Sequence, residues 1–184
     1  MTRAPSFLVV AALLVLAGTA QAQQPATAPA PSLGIQAPPR GRLSAAQLEA
    51  VARDIRALET NPLASDAMEA RRELLMWLTE SPDVTVKACL GVMEPLTSST
   101  SRYRREMLLQ VFLSSSAYAI EHPDQAGDVA RVAAGGLEGA LNTYASLKAQ
   151  LGKDAADPFM ERLLEIRERG GLEERGRELT RECK

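Results

Sequence analysis

From Leu43 onward, apolar residues return at intervals of three and four, segment after segment, and the interruptions are cap residues, prolines and glycines. That spacing lines side chains along one stripe of an α-helix, whereas a half-buried strand alternates at every second residue. A chain patterned in this way buries its stripes by packing helix on helix.

The starts and stops are readable. Ser44, with Gln47 three residues later, forms a capping box, and Leu48, Val51, Ile55 and Leu58 follow as one stripe up to Thr60-Asn61-Pro62. Asp66 with Glu69 predicts a second box ahead of Met68, Leu74, Leu75, Trp77 and Leu78. Ser81-Pro82 opens a short third segment, Val84 to Met93, closed by Pro95. Its Val84-Thr85-Val86 run is the one place where β-branching admits a strand. Arg102 to Glu121 reads as a fourth helix, stopped at His122-Pro123. Asp124 is expected to cap the longest helix, which runs to about Leu151 with Gly152 as its stop. Asp157-Pro158 launches a helix to Arg169, and Gly170-Gly171 separates it from a polar last helix, Leu172 to Cys183. The expectation is a single all-α domain over residues 43–184, with about seven helices in an irregular antiparallel bundle or a short α/α array.

The residues ahead of that domain read as an address and a spacer. Arg3, an apolar run from Phe7 to Ala17, and the small residues of Ala20-Gln21-Ala22 match a signal peptide over residues 1–22, cleaved after Ala22. The run is shorter than the ~20 residues of a membrane-spanning helix. The absence of a cysteine beside the cleavage point argues against a lipid anchor. The expected product is periplasmic or secreted, with no membrane insertion after cleavage. Heavy use of Ala and Arg points to a bacterium of high genomic GC. Residues 23–42, with Pro25, Pro29, Pro31, Pro38 and Pro39, read as a disordered, polyproline-like tether.

Charge and composition narrow the function. Lys and Arg number 21 against 23 Asp and Glu, so there is no basic excess to neutralise phosphates and nucleic acid is not an expected partner. A single histidine and two cysteines rule out a zincin motif, a four-cysteine zinc site and a disulfide-dense scaffold. No metal or other cofactor is expected. In an oxidising compartment Cys89 and Cys183 read as a disulfide that pins the polar last helix to the third segment. Closing a loop of ~100 residues is worth about 4.7 kcal/mol in the chain-entropy treatment.

Three further groups stand out. Arg102, Arg104 and Arg105 follow a Ser/Thr run at a helix start, a pattern suited to an anion or a partner surface. Gly135, Gly136 and Gly139 sit inside an apolar helix, where each costs about 1 kcal/mol relative to Ala. Close helix packing, or a groove that a ligand lies over, would account for them. Glu121-His122-Pro123-Asp124 gathers the only histidine with two carboxylates, but neighbours in sequence at a helix end do not converge on one point. The stretch from Glu161 to the end carries dense, evenly balanced charge, as a solvated helical hairpin or a docking surface would.

Leu43-Ser44-Ala45-Ala46-Gln47 resembles the LTxxQ motif of the Spy/CpxP family of periplasmic chaperones over five residues. Ser replaces Thr, no second copy occurs, and the capping box accounts for the same residues. With no convergent catalytic set, the expected role is a non-catalytic binding or interaction module of the bacterial envelope, recognising a protein, peptide or envelope component. The alternatives are a carboxylate-dependent hydrolase of glycans or peptides, and a periplasmic chaperone with an exposed apolar groove.

Overall fold

The computed structural model describes residues 30–183. The expected signal peptide and the tether up to residue 29 lie outside them. Among the described residues the chain forms seven α-helices, one turn of 3-10 helix at Gly152–Ala155 and no strand. The helices are α1 (Ala45–Thr60), α2 (Ala67–Glu80), α3 (Leu90–Thr97), α4 (Arg104–Glu121), α5 (Val129–Leu151), α6 (Pro158–Glu168) and α7 (Leu172–Leu179). None of them is long and apolar enough to cross a membrane.

Several ends match the caps read from the sequence. Both halves of the Ser44–Gln47 box are present at α1. Asp157 accepts from the Phe159 and Met160 amides at the start of α6, with Pro158 in the first turn. Others differ. Asp124 does not cap α5: tight turns carry the Gln125 amide to the His122 carbonyl and the Asp128 amide to the Gln125 carbonyl, and Asp128 takes the cap instead. Asp66 stands at the N-cap of α2, but its side chain makes no cap bond, because it is turned toward the preceding proline-rich segment. The third segment is extended up to Cys89 and helical only from Leu90. Pro95 takes a donor away from α3, yet the helix continues to Thr97, held by Val92 and Leu96 in the core. Finally, α7 ends at Leu179, and a turn leads the chain back to Cys183.

Helices α4 and α5 form the central pair. Tyr118 meets Gly135 and Ser114 meets Gly139, so the two run antiparallel. On one side of α4, Met107 and Val111 join Val92, Leu96, Leu137, Leu141, Tyr144, Leu147, Met160 and Leu163 in a core shared with α3, α5 and α6. On the other side, Leu113 and Ala117 join Val51, Ile55, Leu58, Leu74 and Trp77 of α1 and α2. A helix covered on two faces cannot show a single apolar stripe. Accordingly α4 also buries Gln110, Ser114, Ser115 and Ser116.

Candidate functional site

Two regions depart from plain helix packing: a polar seam between α1, α4 and α5, and an apolar cavity beside the extended segment before α3.

The seam begins with the three glycines of α5. A Cβ on Gly135 would stand 2.5 Å from the Tyr118 ring, and one on Gly136 would stand 2.6 Å from the Val111 carbonyl. A Cβ on Gly139 would run into Ser114 and the carboxylate of Glu59. The glycines therefore let α4 and α5 approach closely, and Gly139 also leaves room for a buried acid. Glu59 uses that room. It accepts from Arg56 at 2.5 Å, from the Ser114 hydroxyl at 2.7 Å and from the Asn142 amide at 3.0 Å. Arg56 also grips Glu121 through two nitrogens, at 2.6 and 3.2 Å.

Arg71 closes the other end. It is fully buried and donates to the carbonyls of Leu58 (3.1 Å) and Pro62 (3.3 Å) and to Gln110 (3.1 Å). It thus covers carbonyls left unpaired where α1 stops. Burial, only partly opposed by nearby Glu106, pulls its guanidinium down to about 10. Gln110 passes the chain on to the Ile55 carbonyl and the Ser114 hydroxyl. Arg71 lies on the buried stripe of α2 with Ala67, Ala70 and Leu74, and a charge in that register is the signal that would have exposed the seam. A cavity of about 320 Å³ opens over it, walled in part by Arg56, Glu59, Gly135, Glu138 and Glu173. Its carboxylates are all engaged: Glu59 by Arg56, Glu138 by Arg167 at 3.4 Å, and Glu173 by Arg177 at 3.1 Å and Arg131 at 3.6 Å.

The second region is built by residues 82–89, an extended strap. Asp83 accepts the Leu43 amide at 2.8 Å and pairs with Arg42 at 3.6 Å, and Val84 is buried. At its far end Cys89 meets Cys183 in disulfide geometry, with Cα atoms 5.3 Å apart. That contact fastens the chain end after α7 to the strap. Beneath it lies a cavity of about 250 Å³ against α3, α4 and the start of α5, lined by Val86, Val92, Met93, Phe112, Val129 and Val132. Its polar side chains are Thr85, Lys87 and Ser115. A second cavity of about 520 Å³ shares Thr85, Val86 and Phe112 and continues toward Leu75, Leu78 and Val84. The two cavities adjoin through these shared wall residues, and together they are called the trough along the strap.

Arg102, Arg104 and Arg105 are exposed, and Arg102 lies over the Tyr103 ring at 5.1 Å. Positions 104 and 105 are adjacent on α4 and diverge around the helix. His122 stacks on Tyr118 with ring centroids 4.5 Å apart, while Glu121 turns to Arg56. The proline-rich segment is not free where it is described: Asp66 accepts from the Leu33 amide (2.9 Å), the Gly34 amide (2.8 Å) and the Ser32 hydroxyl (2.5 Å). These donors hold the Asp66 carboxyl down at about 2, with the Leu33 amide the largest cause. Gly34 and Gly41 both adopt positive φ, and the chain bends at residues 40–41. No family model, curated protein or solved structure matches the chain.

Proposed function

We propose that the chain is an exported, non-catalytic binding protein of the bacterial envelope that takes an apolar group into the trough beneath the 82–89 strap. The trough itself carries this reading. Apolar cavities with a few polar groups are the usual form of a small-ligand site, and here Val86 and Phe112 form a wall common to both halves. The strap is fastened at Asp83 and at Cys89, which keeps the cavity open at low entropic cost on binding. The signal-like segment ahead of residue 23 and the cysteine pair are consistent with export to an oxidising compartment. The hydrolase alternative draws less support, because the carboxylates around the polar cavity are held by arginines within the protein.

Titration with Nile red, a neutral dye whose emission shifts in apolar surroundings, tests the proposal. One saturable site on the folded protein, lost in Val86→Asp, is the expected result. Absence of saturable binding, or binding untouched by Val86→Asp, would overturn it.

A further inference from the structure

We infer that the 250 Å³ half of the trough takes an aliphatic monocarboxylate, with its chain against Val86, Val92, Phe112 and Val129 and its carboxylate at Lys87. This rests on the binding role proposed above and adds the chemical class of the ligand. Three observations carry it.

The first is charge. Lys87 is the only charged residue in the wall of this cavity, which contains no Asp or Glu. Lys87 forms no ion pair among the described residues, so its ammonium is not already matched to an acid there. An exposed ammonium beside an apolar cavity suits a ligand with one anionic end and a hydrocarbon body, since the methylene stem can lie along the chain while the head stays wet.

The second is size. A dry cavity of about 150 Å³ holds benzene, so about 250 Å³ accommodates roughly ten non-hydrogen atoms on the same scaling. Octanoate is of that size.

The third is placement. Lys87 is exposed and Ser115 is buried, so the cavity runs from a charged mouth to an inner wall. At that wall Ser115 lies against the bare backbone of Gly136. Its neighbours Ser114 and Ser116 are bonded to Glu59 and to the Leu113 carbonyl, and so turn their polar atoms away from the ligand.

Calorimetric titration of the full-length, disulfide-intact protein separates this inference from the broader reading. Octanoate and its uncharged methyl ester are compared on the wild type, Lys87→Met and Val129→Phe, with circular dichroism as the check on folding. We expect octanoate to bind at one equivalent and to weaken about fivefold in Lys87→Met, the upper scale of an exposed ion pair. The ester should be indifferent to Lys87→Met, and Val129→Phe should abolish binding of both. Lys87 is exposed, so its substitution leaves the fold intact; should Val129→Phe not fold, Val86→Phe fills the cavity from the strap. Equal affinity for acid and ester, unchanged in Lys87→Met, would overturn the carboxylate inference and leave apolar binding standing. No binding of either compound would overturn both.

Discussion

The seam around Glu59 and the trough beneath the strap sit on neighbouring faces of α4, yet they spend their residues in opposite ways. In the seam, polar groups are buried and matched to one another: Arg71 to carbonyls, Glu59 to Arg56, Ser114 and Asn142, and Gln110 to both sides. In the trough, apolar side chains are left partly unmatched and enclose space. A buried polar group demands a partner because desolvation is costly, so the seam pairs its polar groups with one another. Unfilled apolar surface costs less per atom and can be relieved by a guest. The seam is thus the reading for stability and the trough the reading for binding.

Substitutions in the seam should therefore destabilise the protein, while exposed ones at the trough should spare it. The largest effect is expected for Glu59→Leu, which takes the acceptor from the Asn142 amide and the Ser114 hydroxyl while Arg56 keeps Glu121; leaving two such donors unmatched costs about 1–3 kcal/mol each, measurable by urea denaturation. A loss below about 1 kcal/mol would mean that the seam is solvated. Cys183→Ser should cost about 2–4 kcal/mol and lower the melting temperature. Equal melting of the wild type with and without reductant would show that the two cysteines are not joined. Gly139→Ala should cost about 1–3 kcal/mol by overpacking, because the new methyl meets Ser114 and Glu59. By contrast Lys87→Met should stay within ±0.5 kcal/mol, as exposed substitutions do.

The smallest expected effect is local and depends on pH. Asp66 is held at about 2 in the folded chain against an ordinary value of 3.8. A depressed carboxyl stabilises in its ionised form, so the 32–34 attachment should be complete above pH 4 or so. It should be lost as pH falls through about 2. Protection of the Leu33 and Gly34 amides, relative to their intrinsic exchange rates, should fall over that window, while α5 amides stay protected. Uniform exchange at both places would mean that the segment is not separately attached.

Much of the helical layout was legible in the sequence. Three- and four-residue spacing marks a helix wherever one face is buried and the other is wet, and Ser44 and Asp157 act on residues three or fewer positions away. Where the reading slipped, a distant group had taken over. Asp66 has the same side chain as a capping residue, but Leu33 and Gly34 compete for it. Asp124 and Asp128 are both chemically fit to cap α5, and the turns after His122 decide between them. The glycines of α5 announced close packing, yet nothing in their spacing named Glu59 as the group that fills the gap.

By itself, the sequence determined an all-helical chain, its approximate segment boundaries and the pair of cysteines available to staple its end. The tertiary structure alone decided that Arg71 and Glu59 are buried, that residues 82–89 form a strap and that a trough lies beneath it. The physical reason is range. Caps and stripes are set by bonds a few residues long, whereas burial and cavities depend on which faces meet across tens of residues.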